Sequence, residues 1–343
     1  MTRFRITTMV VALCVAVAVG AGFASSKTSS SEPTSSLAAG LTLQNAFVNV
    51  YKKVSPSVVQ IRTSEGLGSG IVFDKKGDIV TNDHVVGDAT TFAVTTTLAP
   101  KVLTGKLVGI FPEDDLAVIK VDPAGLKPAV FADSAKLRVG DLALAIGNPL
   151  GLSSSFTEGI VSALNRTESE GTNAQGQNIV LPNAIQTSAA INPGNSGGAL
   201  VDITGKVIGI PTLAAADPQL GGAAAGIGFA IPSNVVKSIA TQLVATGKVT
   251  NSGRAYLGVK IADTGLTNGV YITQVLSGTA AAKAGLKVGE RITALNGSPT
   301  PTSSDLGTVL AALKPGQTVS VKVVSQGGAA TTVKLSLDQY PGA

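Results

Sequence analysis

Between about residues 57 and 232 the chain keeps producing short apolar runs rich in Val, Ile, Thr and Ala, each stopped by Gly, Pro, Asn or Asp. They read "SGIVFDKKGDIVTN", "TFAVTTTL", "VLTGKLVGIF", "LAVIKV", "LALAIGNP", "TEGIVSALNR", "GKVIGIP" and "AGIGFAIP". Strands this short and this closely spaced predict a barrel or sandwich rather than alternating βα units. With 40 glycines and no tryptophan, the composition agrees with many strands joined by tight turns, so a mainly β fold is expected. At 343 residues one core rarely organises the whole chain, which predicts two globular domains with tails.

The flanks set the expected boundaries. Leu43, Phe47, Val50 and Tyr51 fall at helical spacing, Pro56 stops that helix, and "SVVQIRT" reads as the first strand. The stretch "SNVVKSIATQLVATGK" at 233–248 is amphipathic, with Ser233 or Asn234 available as its cap and Val236, Ile239, Ala240 and Leu243 on one face. It closes a first domain at 41–248, and "TNSGRA" reads as a polar hinge into a second at 249–343. There, strands "YLGVKI", "GVYITQVL", "RITALNG" and "TVSVKVV" surround two short helices, which makes a small α+β module.

Residues 25–40 are serine-rich and predict a flexible tether. Ahead of them, Arg3 and Arg5 precede an apolar stretch from Met9 to Ala24, the pattern of a secretory signal at 1–24. Cleavage after Ala24 and retention as a membrane anchor of about 20 residues both remain open. The expected location is outside the cytoplasm in either case: secreted, in the periplasm or cell envelope, or anchored with the folded part outside. The one cysteine, Cys14, lies in that segment, so the exported part must hold together without disulfides. Leu13 before it is too bulky for the usual lipoprotein processing site. Loss of Arg3 and Arg5 lowers the formal charge from +5 to +3, dispersed and without a basic run, which gives nucleic acid no footprint.

"INPGNSGGAL" at 191–200 sets Ser196 among glycines. A nucleophilic serine needs an exposed hydroxyl and converging backbone N–H groups, and glycines let the chain curl to supply both. A plain Gly-rich β-turn would look the same. The string also fits the G-x-S-x-G spacing of α/β-hydrolases, but in those enzymes the histidine follows the serine. The only histidine here, His84 in "TNDHVVGD", precedes Ser196, as in the order His, Asp, Ser of chymotrypsin-type enzymes. A structural role for His84 is the bland alternative. A metal site finds no second histidine or cysteine in the exported part, and no cofactor is expected. The carboxylate that would hold the imidazole is Asp115, at the start of the apolar run Leu116–Val121; Asp114 would point to the opposite face. A surface turn of acidic residues over Glu113–Asp115 is the alternative for both.

Taken together and in order, "GLGSGIVFDKKGDIVTNDHVV", "EDDLAVIKV", "AIGNPLGLSSSFTEGIVSALNR", "AIQTSAAINPGNSGGALVDITGKVIGI" and "GIGFAIP" resemble the trypsin-like domain of the HtrA/Deg serine proteases. The segment "YLGV…GTAAAKAGLKVGERITALNG…LKPGQTVSVKVV" resembles the PDZ domain that follows it in that family; the likeness spans roughly 43–338. This implies a double β-barrel of chymotrypsin type followed by a PDZ domain. His84 would be general base, Asp115 its orienting carboxylate and Ser196 the nucleophile, with the N–H groups of Gly194 and Ser196 as the oxyanion hole. Asn195 replaces the aspartate that zymogens use to receive a new N-terminus. Ala190 and Ile191, with Ile210 and Pro211 in the strand that pairs with substrate, imply a pocket for small or medium aliphatic side chains. Pro211 stands where the family often has Asn and removes one main-chain donor.

In the PDZ-like module Tyr256, Leu257, Gly258 and Val259 resemble the loop and strand that capture a peptide carboxylate. Leu306, Val309 and Leu310 would line the groove or belong to the core. The family also implies trimers. Two readings result: an ATP-independent endopeptidase acting on unfolded or misfolded proteins, since no G-x-x-x-x-G-K-[ST] motif is present, or a binding or chaperone module with an idle site. The intact His84, Asp115 and Ser196 favour the first.

Overall fold

In the strand Leu116–Lys120, Leu116 and Val118 face one apolar layer while Ala117 and Ile119 face another. A strand buried on both faces loses the polar alternation and reads as one continuous apolar run. That pattern recurs along the chain in a computed structural model, which describes residues 32–64, 66–123, 125–148, 155–172, 178–192, 194–217, 222–263 and 269–341.

The first barrel is built from β1 (Val58–Arg62), β2 (Leu67–Val72), β3 (Asp78–Thr81), β4 (Thr91–Thr96), β5 (Ala99–Phe111) and β6 (Leu116–Lys120). Its antiparallel order β1-β2-β3-β6-β5-β4 closes through pairing of β1 with β4. The second contains β7 (Leu142–Gly147), β8 (Ser155–Thr172), β9 (Asn178–Thr187), β10 (Ala199–Val201), β11 (Val207–Asp217) and β12 (Gly222–Pro232). Its order is β10-β11-β12-β9-β8-β7, closed by β10 with β7. Val59, Ile61, Ile79, Phe92 and Ile119 fill the first interior, and Ala145, Val161, Ile185, Leu200 and Ile208 the second. Between the barrels lies a third layer, in which Ile71, Val80, Phe111, Leu116 and Val118 meet Leu144, Ile146, Ala199 and Ile210. Full burial of each large side chain is worth about 1.5–3 kcal/mol, so this layer fixes the two barrels against each other.

Two helices brace that layer. The first, α1 (Glu32–Val54), ends where Pro56 was expected to stop it, in a 3-10 turn at Ser55–Ser57, and buries Val50 and Val54. Its start corrects the expected tether: Glu32–Gly40 is helical. Pro33 suits a first turn, and once the apolar end is packed the helix extends at little cost. The rest of the 25–40 stretch and the signal or anchor segment at 1–24 lie outside the described residues. Among those described, no helix is long and apolar enough to cross a membrane.

The helix after β12 runs over Ser233–Thr246 and, counting the short α2 (Asp83–Val86), is α3. Val236, Ile239, Ala240 and Leu243 are buried as the spacing predicted. Neither Ser233 nor Asn234 caps it. Ser134 Oγ accepts from Asn234 N–H at 3.1 Å, and Ser233 Oγ donates to the Ala132 carbonyl at 3.0 Å.

The C-terminal module has β13 (Ala255–Tyr256), β14 (Val259–Ala262), β15 (Val270–Val275), α4 (Ala280–Lys283), β16 (Arg291–Leu295), β17 (Ser298–Pro299), α5 (Ser303–Ala311), β18 (Thr318–Val324), β19 (Ala330–Ser336) and β20 (Asp338–Gln339). Its main sheet runs β14-β15-β16-β18-β19, so β14 is an edge strand. Leu257, Ile272, Ile292, Leu295, Leu306 and Val321 form its own core. Thr302 and Asp305 make a reciprocal capping box at the start of α5.

The segment expected as a polar hinge is tied down. Gln242 accepts from Asn251 N–H at 2.8 Å and Thr250 N–H at 3.0 Å, while Val249 is buried.

Candidate active site

Asn82 at the end of β3 donates through Nδ2 to the Asp115 carbonyl at 2.9 Å, which joins the two loops bearing His84 and Asp115. His84 sits on α2; its side chain is 46% exposed while that of Asp115 is 1% exposed. Asp115 Oδ2 lies 2.8 Å from His84 Nδ1, and Oδ1 accepts the His84 backbone N–H at 3.0 Å. The carboxylate thus grips both ring and main chain. A hydrogen bond at Nδ1 fixes the tautomer, with the proton on Nδ1 and Nε2 as the acceptor nitrogen.

Asp114 and Asp115 do not follow strand alternation. Pro112–Asp114 form a 3-10 turn and Asp115 takes a left-handed conformation, φ 48°, before β6 begins. The turn sends the two carboxylates to different partners and, against the surface-turn alternative, buries both. Asp114 Oδ1 meets Arg254 Nη1 at 2.5 Å; the same guanidinium donates to the Glu113 carbonyl and, through Nη2, to the Val180 carbonyl at 3.0 Å. Burial pushes the Asp114 carboxyl above the usual range, and the Arg254 charge opposes it. Tyr340 donates its hydroxyl to the Glu113 carboxylate and packs its ring against Phe111 and Tyr256. The C-terminal module is therefore keyed into the turn that carries Asp115.

Thr212 is the site residue that motif reading missed. Its hydroxyl donates to Asp115 Oδ2, while its carbonyl accepts from Ser196 Oγ at 3.3 Å. One buried residue of β11 thus connects the carboxylate to the serine. Its signal in sequence was only its place after Pro211, at the bulge where the register with β12 shifts. Asp83, beside His84, is raised to about 6 by burial and by the nearby Asp115, with His84 opposing.

Ser196 lies in the turn Gly194–Gly197, half-buried, with its hydroxyl directed to the Thr212 carbonyl. Gly194 and Gly197 have φ of 100° and 78°. A Cβ on Gly197 would lie 2.1 Å from the Ser69 carbonyl, so both conformation and space demand glycine. Asn195 donates from its backbone to Asn192 O at 3.0 Å, and Gly198 N–H donates to Asn195 O at 2.9 Å. These bonds orient the peptide planes around the Ser196 N–H.

The remaining predicted positions divide. Ala190 is exposed; its carbonyl accepts from Thr157 Oγ1 at 2.9 Å and Asn195 Nδ2 at 3.3 Å. Ile191 lies against Gly228, where a Cβ would come within 2.4 Å of its Cγ1. Ile210 is fully buried between the barrels, and Pro211, opposite Ala230, accepts from Gly197 N–H through its carbonyl at 3.1 Å. In the C-terminal module Gly258 (φ 85°) turns the chain into the edge strand, Leu257 and Leu306 are core, and Val309 and Leu310 are partly buried against it. Among the described residues no cluster of three or more His, Cys, Asp or Glu is arranged to hold a metal.

Residues 68–210 match the trypsin-like peptidase domain family and residues 255–337 the PDZ domain family. The "Periplasmic pH-dependent serine endoprotease DegQ" of Escherichia coli K12 is 39% identical over 286 residues, 80% of this chain and 60% of that protein. The "Serine protease Do-like HtrA" of Bacillus subtilis 168 is 42% identical over 301 residues, 81% of this chain and 64% of that protein. The chain thus spans somewhat under two thirds of the length of these curated relatives. A solved structure described as "HtrA-type protease AlgW with tripeptide" superposes with a TM-score of 0.58 at 33% identity, covering 86% of this chain and 97% of that one.

Proposed function

Because the chain belongs to the HtrA/Deg family of trypsin-like peptidases with a PDZ domain, we propose that it is a serine endopeptidase that works without ATP on unfolded or misfolded proteins. The observation that carries this reading is the continuous path from Asp115 to His84 Nδ1 and, through Thr212, to Ser196 across the barrel junction. His84 Nε2 takes the Ser196 hydroxyl proton as Oγ attacks the scissile carbonyl. The resulting imidazolium is stabilised by Asp115, and the proton then passes to the leaving amine. The oxyanion is received by the N–H groups of Gly194 and Ser196. Water enters by the same route in reverse to free the acyl group.

Ile191 beside Gly228 narrows the space near Ala190, which suits small or medium aliphatic side chains and offers no charge for Lys or Arg. Pro211 leaves one main-chain donor fewer for an extended substrate. The domains divide near 248, with the trypsin-like part at 41–248 and the PDZ part at 249–343. In the latter, the Tyr256–Val259 bend and the open edge of β14 accept C-terminal peptides as an added strand. The names of the relatives, with the apolar stretch at Met9–Ala24, support a place outside the cytoplasm. Assembly into trimers rests on the family alone.

The test is cleavage of permanently unfolded casein beside a folded, disulfide-locked substrate, with the full chain and no nucleotide. Cleavage of casein alone, lost in Ser196→Ala, is expected. Cleavage that persists in Ser196→Ala, or that needs ATP, would refute the proposal.

A further inference from the structure

Ser69 on β2 belongs to the first barrel, yet its N–H and its hydroxyl both bond segments of the second. Its N–H donates to the Ser196 carbonyl at 2.9 Å, and its carbonyl accepts from Thr81 Oγ1 at 2.7 Å, three residues before His84. Its hydroxyl donates to the Gly194 carbonyl at 2.5 Å and accepts the Asn148 N–H at 2.7 Å. The residue is wholly buried. A serine with no solvent contact and four hydrogen bonds to three separate segments is not a filler of the barrel wall.

From this we propose that Ser69 is a positioning residue for the oxyanion hole, an assignment that rests on the endopeptidase reading above. Gly194 has φ of 100° and no Cβ, so its two peptide planes are intrinsically free to turn. The Ser69 hydroxyl holds the Gly194 carbonyl on one side, and the Asn195 N–H is held by Asn192 O on the other. With that plane fixed, the Gly194 N–H, which belongs to the preceding peptide, can reorient only by rotation about the two bonds at the Gly194 Cα. The bond from Ser69 N–H to Ser196 O fixes the far end of the same turn. Preorganised donors act in the transition state without reorganising as charge develops, so loss of the clamp should slow the chemical step and leave substrate binding nearly untouched.

The experiment compares Ser69→Ala, Ser69→Cys and Ser233→Ala in the full chain. Ser233 supplies a control because its buried hydroxyl makes the same kind of bond, to Ala132 O at 3.0 Å, away from the cleft. The readouts are kcat and KM on a chromogenic peptide with an aliphatic residue before the scissile bond, the rate of fluorophosphonate labelling, and Tm. Ser69→Ala is expected to lower kcat and the labelling rate roughly 10- to 100-fold, less than loss of a hole donor itself, with KM within about threefold. Ser69→Cys, with a weaker donor, should fall between and decides the question should the alanine variant fail to fold. Ser233→Ala should lower Tm while kcat stays within about twofold. Wild-type kcat in Ser69→Ala, a loss confined to KM, or a loss in kcat matched by Ser233→Ala at equal Tm would overturn the assignment. Absence of labelling in the wild type would instead remove the endopeptidase reading on which it rests.

Discussion

The Ser196 turn with the adjoining Gly198 and the bend at Tyr256–Val259 both depend on glycine, but they are walled by different materials. A Cβ on Gly197 or Gly198 would strike backbone, the Ser69 carbonyl at 2.1 Å or the Ile146 carbonyl at 2.4 Å. At Gly258 it would strike the Thr279 side chain at 2.2 Å. Backbone held in two closed barrels cannot yield, whereas a side chain beside an edge strand has rotamers to spend. Chemistry requires donors fixed before the substrate arrives; strand addition requires an edge left open. The first region spends its hydrogen bonds internally, and the second lies beside an edge strand, which in the proposed function is where a peptide adds.

That contrast can be attacked directly. The largest effect is expected at His84, the sole histidine: His84→Ala should lower kcat on a peptide substrate about 10⁴-fold or more, and appreciable turnover would show that the closed site is not the seat of the chemistry. Asp115→Asn should cost a similar factor while Asp114→Asn should act mainly on Tm, since Asp115 bonds the imidazole and Asp114 pairs with Arg254. The reverse pattern in a side-by-side kinetic and melting comparison would exchange their roles.

Gly197→Ala should cost on the order of 100-fold in kcat, and Gly258→Ala about tenfold in affinity for a hydrophobic C-terminal peptide measured by calorimetry. If Gly258→Ala proved as damaging to hydrolysis as Gly197→Ala, the two bends would not differ as described. Arg254→Ala leaves Asp114 buried without its partner, and should cost about 2–4 kcal/mol of stability in denaturant titrations. An unchanged midpoint would mean that the module is not keyed to the Asp115 turn.

The smallest effect concerns Asp83. Its carboxyl is raised from 3.8 to about 6 on folding, so the folded chain binds the proton more tightly. Stability then falls as pH rises from about 4 to about 6 and stays lower above that window. Asp83→Asn removes the penalty. After allowance for partial exposure, about 1 kcal/mol of added stability is expected near pH 7.5 and none below about pH 4. A gain of equal size at both pH values would contradict the assignment.

Much of this was legible in the sequence because it follows from periodicity and glycine placement. The continuous runs at Leu116–Lys120 and Leu142–Gly147 are continuous because both faces are buried. Motif order placed His84, Asp115 and Ser196 in one expected site; in the fold Asp115 meets His84 Nδ1 and is linked through Thr212 to Ser196. What escaped notice depends on contacts between distant segments. Thr212 and Ser69 are ordinary hydroxyl residues until β11 and β2 are placed beside the cleft. Arg254 read as part of a polar hinge because its partner lies 140 residues away. The helical Glu32–Gly40 looked like a tether because serine weakens the local preference for helix, while the apolar residues that secure the helix lie nearer its C-terminal end.

The account stands on Ser196 as an activated nucleophile, and intact mass after fluorophosphonate treatment measures that most directly. With the full chain, alone and with a hydrophobic C-terminal peptide, one adduct is predicted on Ser196, absent from Ser196→Ala and from His84→Ala. No adduct on the wild type under either condition, or an undiminished adduct on Ser196→Ala, would contradict it.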